Sequence, residues 1–154
     1  MNSTFKHFLF ITFILLIKTS SANTVINTAI NNPYKDVRSN LIDAIEEKAL
    51  NISKIYHASD MLNRTKDSVQ NAKNIYQKAE IIEFCSAKIS HQLVSANHLN
   101  ISACPFKIAL YSLVDNPNKT HVVYTKLTPL DLKSAPPTTQ ANKLIQSLVE
   151  SAAW

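Results

Sequence analysis

The spacing of apolar residues changes several times along the chain, and each change predicts an element. From Asp36 to Ala49, Val37, Leu41, Ala44, Ile45 and Lys48 recur at helical spacing, with charges on the other side. Leu50–His57 then alternates as a strand does, with Leu50, Ile52, Lys54 and Tyr56 on one side and Asn51, Ser53, Ile55 and His57 on the other. Ser59 is placed as the cap of a short helix from Asp60, with Met61, Leu62 and Thr65 near its inner side. Lys66–Lys78 is polar and predicts a loop or a broken helix ending near Tyr76. Glu80–Cys85, carrying Ile81, Ile82 and Phe84, predicts a buried strand. Ser86 can cap a following helix that runs to about Asn97, with Ile89, Leu93 and Ala96 inward.

Cys104-Pro105 predicts the start of a strand that runs through Leu113, a position where the missing proline N–H is tolerated. Asp115-Asn116-Pro117-Asn118 is a turn, and His121–Leu127 is the returning arm of a hairpin. Pro129–Pro137 reads as a linker and Thr138–Ala153 as a last amphipathic helix. Thr24–Ile30 is either a first strand or a frayed lead-in. The sum is one α+β domain: an antiparallel or mixed sheet with helices packed on one face.

Ahead of this pattern lies the apolar run Phe8–Ile17, interrupted only by Thr12, after Lys6 and His7 and before Ser20-Ser21-Ala22. That is the layout of an export signal with cleavage after Ala22, leaving 23–154 as the mature domain. The run is shorter than the about 20 residues a membrane span needs. An uncleaved anchor is the alternative. No second apolar stretch could span a membrane after signal cleavage, so a periplasmic or secreted location is expected. The net charge of +5 falls to about +3 when Lys6 and Lys18 leave with the signal. The remaining basic residues are scattered and do not alternate with aromatic ones, which argues against nucleic acid as a partner. The chain contains no glycine. Gly-rich phosphate loops are therefore excluded, and any backbone position with positive φ must be taken by another residue, with Asn and Asp the least strained choices.

The stretch Met61-Leu62-Asn63-Arg64-Thr65, then Tyr76 and Ala79-Glu80, then Phe84-Cys85-Ser86-Ala87, then Cys104-Pro105-Phe106 and Tyr111, resembles the DUF302 family of small bacterial domains. The resemblance spans about Asp36 to Leu127. It implies a compact α+β domain with a curved sheet and brings no biochemical activity with it. Two departures stand out. Relatives often carry Gly at the end of the first helix, near Ala49 here. Many also have a Gly-Asn-Pro turn after the strand Phe, where Cys85-Ser86-Ala87 stands.

Candidate chemistry centres on the two cysteines. In an exported chain an even number of Cys permits a disulfide, and Cys85 and Cys104 are the candidate pair. Inert buried thiols, or a thiol-redox or metal-handling pair, are the alternatives. Neither a Cys-x-x-Cys nor a Cys-x-x-Cys-His motif occurs, so thioredoxin-like chemistry and covalent haem have no motif here. His57 and Met61, four residues apart, are candidate soft ligands for copper or haem iron, alongside Cys85 or Cys104. The carboxylates form no evident acid–base pair, and Glu80 and Glu83 read as edge charges. No complete catalytic set is visible, and no cofactor is specified. The expected function is therefore an exported, non-enzymatic domain that binds a small ligand or a partner protein around Cys85, Cys104, Tyr76, Tyr111 and Tyr124, with thiol-redox or metal handling as the alternative. Self-association into a homo-oligomer is also compatible with the mixed apolar and polar sheet edges.

Overall fold

A computed structural model of the chain describes residues 24–154. The expected export signal, 1–22, lies outside the described residues. The sheet has five strands: β1 (Thr24–Ile30), β2 (Asn51–Tyr56), β3 (Tyr76–Cys85), β4 (Phe106–Leu113) and β5 (Thr120–Lys126). Their order is β1-β5-β4-β3-β2, and every neighbouring pair is antiparallel. The helices are α1 (Tyr34–Glu47), α2 (Ala58–Thr65), α3 (Ala87–Ala96) and α4 (Ala135–Ser151). The α+β expectation holds, and of the two expected sheet types the structure takes the antiparallel one.

Alternation along the strands decides which side is covered. Phe84, Ile82, Phe106, Ile108, Leu110, Val122 and Ile30 are buried beneath Val37, Leu41 and Ile45 of α1, Ile89 and Leu93 of α3, and Ala141, Ile145, Leu148 and Val149 of α4. Phe84 and Phe106 are direct cross-strand partners with ring centroids 5.8 Å apart. The opposite side of the sheet carries Ile81, Ala109, Tyr111, His121 and Val123, all partly exposed. Helix α2 does not join the three-helix layer. It leaves the end of β2 and packs on β3.

Several boundaries differ from expectation for identifiable reasons. The register of β2 against β3 shifts between Ile52 and Lys54. This irregularity breaks the simple alternation, so Ile52 opposes Phe84 and Ile55 opposes Ile82, both on the covered side, while Lys54 opposes Glu83. The expected facing of Leu50–His57 is corrected accordingly. Helix α2 starts at Ala58 with His57 as its N-cap residue, not at Asp60. Ser59 is buried, and its hydroxyl donates to the Ala79 carbonyl at 3.4 Å instead of capping. Met61, Leu62 and Thr65 are exposed, because α2 touches the body of the protein through its first turn. Strand β3 begins at Tyr76, four residues earlier than expected, since β4 supplies backbone partners across a further register shift between Tyr76 and Lys78. Strand β4 begins at Phe106, after a cis Cys104–Pro105 peptide and a short 3-10 segment, His98–Ala103. Helix α4 begins at Ala135, inside the expected linker. Pro136 and Pro137 lie in its first turn, where a missing N–H costs nothing. Ser86 caps α3 as expected, accepting from the Ile89 N–H at 3.5 Å.

Among the described residues only Ala49 and Asn71 have positive φ, at 53° and 61°. The turn residues Asn31, Asn32, Asn97, Asn100, Asn116 and Asn118 do not. Ala49 follows the C-terminus of α1, where its Cβ crowds the following carbonyl. The position near which the resemblance implies Gly in relatives is thus one that favours Gly. Ala49→Gly is expected to raise stability by about 1 kcal/mol, read as a higher urea midpoint at unchanged slope. The gain is partly offset by the freer unfolded chain.

Candidate functional site

The two cysteines meet where β3 ends and the segment leading into β4 begins. Pairing of Phe84 with Phe106 holds the two strand ends side by side. The Cys85 and Cys104 sulfurs lie 3.6 Å apart, and the Ser90 hydroxyl of α3 is 3.2 Å from Cys104 Sγ. No S–S bond joins them here; both are free thiols, each partly buried. Burial raises the Cys85 thiol above its ordinary value, reinforced by its hydrogen bond and charge interaction with Cys104 and by the Glu83 carboxylate. A raised thiol has little thiolate at neutral pH and is a slow nucleophile.

The tyrosines expected beside the cysteines are elsewhere. Tyr76 and Cys85 occupy opposite ends of the ten-residue strand β3, roughly 30 Å apart at the usual rise of a strand. Tyr76 is edge-on to Tyr111, with ring centroids 5.2 Å apart, and Tyr111 stacks on His121 at 4.7 Å and 5°. This aromatic row lies on the uncovered side. Tyr124 is on the helical side and lines a cleft of about 740 Å³ with Ile26, Lys126, Gln146, Val149 and Trp154. Burial, then the Glu150 carboxylate, raises its hydroxyl above the ordinary tyrosine value. The five residues expected at one site therefore occupy three places.

A polar cluster that the sequence did not flag sits between α1, α2 and β3. Glu80 shares the covered side of β3 with Ile82 and Phe84, and its side chain is only 12% exposed. One carboxylate oxygen, Oε2, accepts from Arg38 Nε of α1. The other, Oε1, is 2.8 Å from His57 Nδ1. Tyr34, one turn before Arg38 on α1, brings a buried hydroxyl close to the same carboxylate without a well-formed hydrogen bond. Burial, together with the Glu80 charge, pushes that hydroxyl far above the ordinary tyrosine range. Glu80 is therefore not an edge charge; it holds a helix residue and the His57 ring in place.

The His57 ring is 59% exposed and lines a second cleft, of about 670 Å³, with Tyr56, Met61, Arg64, Glu83 and Lys107. Met61 is 47% exposed. His57 and Met61 thus share one cleft. Glu83 is the last β3 residue of the cleft, and Cys85, two residues beyond it on the strand, is not part of the lining. The expected combination of His57 and Met61 with a cysteine is not assembled. Among the described residues no group of three or more His, Cys, Asp or Glu is placed to hold a metal ion.

Comparison with known proteins fixes the family. The family model described as "Domain of unknown function DUF302" matches residues 26–152. The chain belongs to the DUF302 family. The match takes in β1 and α4, beyond the Asp36–Leu127 stretch that carried the resemblance. A crystal structure of an uncharacterized conserved DUF302 protein from Bacillus stearothermophilus superposes with a TM-score of 0.67 over 86% of this chain and 99% of that chain, at 11% identity. That likeness is one of fold. No curated protein matches. Among the described residues no helix is long and apolar enough to cross a membrane.

Arg38, Glu80 and Tyr34 were missed because their partners are distant in sequence; Arg38 and Glu80 are 42 positions apart. One local signal was present. Glu80, Ile82 and Phe84 alternate, so a buried strand there carries a carboxylate inward, and an inward carboxylate requires a cation or donors.

Proposed function

We propose that this DUF302 protein is an exported, non-enzymatic binding domain whose Cys85–Cys104 dithiol closes to a disulfide in an oxidising compartment. The observation that carries this reading is the 3.6 Å approach of the two sulfurs from strand ends held by backbone pairing. Closing the bond brings the sulfurs from 3.6 Å to about 2 Å. In the closing step two S–H bonds break and one S–S bond forms. The two electrons and two protons pass to a disulfide-bearing oxidant of the compartment, which leaves as a dithiol. The raised Cys85 thiol supports a clasp over a thiol oxidoreductase, because a catalytic thiol is tuned the other way.

A binding role draws its support from the Tyr124 cleft. Its volume lies in the range of small-molecule sites, and apolar Ile26 and Val149 stand beside polar Gln146 and Lys126. The test is native mass spectrometry of the protein taken from its own periplasm, with alkylation before and after reduction. The expected species is the mature chain two hydrogens lighter than the dithiol, with both thiols protected until reduced. Full alkylation without reductant would overturn the clasp. A retained small molecule that is lost in Tyr124→Ala supports the cleft; one retained equally in that variant places the ligand elsewhere.

A further inference from the structure

The cleft beside α2 combines features that belong together in a metal site. Glu80 Oε1 occupies Nδ1 of His57 at 2.8 Å, so the exposed ring presents its other nitrogen, Nε2, as the free donor atom. A carboxylate on the far nitrogen is the usual way proteins fix the tautomer of a metal-binding imidazole and raise its basicity. That carboxylate is itself held by Arg38 on α1, so the ring is anchored to the body of the protein through β3 and α1. Met61 follows four residues later, and its N–H bonds the His57 carbonyl at 3.2 Å, which closes the first turn of α2. The two residues thus stand one turn apart at the start of α2, His57 as its N-cap residue. Both line the same cleft, and both are about half exposed. An exposed thioether at that position fills no gap in the core.

The set selects a class of ion. Hard dications and zinc ask for three or more oxygen, imidazole or thiolate ligands, and the described residues offer no such group. One imidazole nitrogen and one thioether suit a soft ion. Charge does not decide the matter, because Asp60 and Glu83 line the cleft against Arg64 and Lys107, and Lys107 is paired to Glu83 at 3.3 Å. We propose that His57 and Met61, with Glu80 behind the imidazole, form a binding site for a soft monovalent metal ion, cuprous copper in an exported protein. The site is separate from the Cys85–Cys104 pair and does not depend on the state of those thiols.

The experiment uses the mature protein with Cys85→Ser and Cys104→Ser, so that thiols do not compete. Silver(I), as the redox-inert probe, is titrated against a competing chromophoric ligand, and methionine methyl resonances are followed by NMR. One equivalent is expected to bind with a selective shift of the Met61 methyl. Met61→Leu and His57→Gln should each weaken binding tenfold or more. Glu80→Gln, which keeps the side-chain shape, should weaken it about tenfold by removing the charge behind the ring. Circular dichroism of each variant checks that the fold is intact. Should Met61→Leu and His57→Gln, still folded, bind silver as the parent does, or should the parent bind none, the site is overturned. Neither outcome bears on the disulfide, which is absent from the tested protein.

Discussion

Phe84→Ala is expected to cost about 3–5 kcal/mol, the largest effect of any single substitution considered for this fold. Phe84 is fully buried near the end of β3, beneath the helical layer. It opposes Ile52 of β2 on one side and Phe106 of β4 on the other. Truncation removes its transfer free energy and leaves a void that neighbours on three strands and the helical layer fill only partly. Phe106 also loses the tilted ring contact. A domain of this size has roughly 5–15 kcal/mol in total, so the variant should unfold at a much lower denaturant concentration or fail to accumulate. Urea unfolding of Phe84→Ala beside Val25→Ala makes the comparison. Val25 is 62% exposed on edge strand β1, and its truncation should stay within about 0.5 kcal/mol. Similar midpoints for the two variants would mean that Phe84 is not at the centre of the core.

The elements that build this core were legible because each is amphipathic in its own right. Val37, Leu41, Ala44 and Ile45 all lie buried on α1, as their spacing predicts, and Ile89 and Leu93 do so on α3. The hairpin of β4 and β5 was legible from its turn residues. What failed were details that one strand imposes on another. The irregularity at Ser53 exists because β2 must keep both Ile52 and Ile55 against the helical side while pairing with β3, and a single strand read by itself cannot show that. The early start of β3 likewise depends on β4.

The site was legible in the opposite proportion. The cysteines were found because there are only two and each flanks a strand. His57 and Met61 were singled out as soft ligand types four residues apart, and the structure places both along one cleft. The tyrosines were expected beside the cysteines, but Tyr76 and Tyr111 stand at the other end of β3 and β4, and Tyr124 is on β5. Glu80 illustrates a general limit. A carboxylate reads as solvated until the residues that hold it are known, and here Arg38 arrives from α1 and His57 from the start of α2. The alternation with Ile82 and Phe84 was the one feature that pointed inward.

Closing the Cys85–Cys104 bond is expected to stabilise the domain by about 3 kcal/mol, since the bridge removes closure entropy of a loop of some twenty residues from the unfolded chain. Engineered bridges often return less because the native state must distort to accept them. Here the sulfurs already lie 3.6 Å apart, and the Phe84–Phe106 pair holds the adjoining strand ends side by side. The bridge also ties the end of β3 to the segment entering β4, which already packs on α3 through Asn100–Leu93 and Ser90–Cys104 contacts. Oxidised and reduced protein should therefore differ by roughly 10 °C in Tm, with the reduced form and the Cys85→Ser, Cys104→Ser double variant unfolding together. The double variant is the informative control, because it keeps two small polar groups in contact while forbidding the bond. Thermal unfolding of the three forms, with the mass of each checked beforehand, decides the point. If the oxidised protein, verified by mass, melts with the other two, the loop is already restrained in the unfolded chain or the bond strains the native one, and the clasp has no stabilising role.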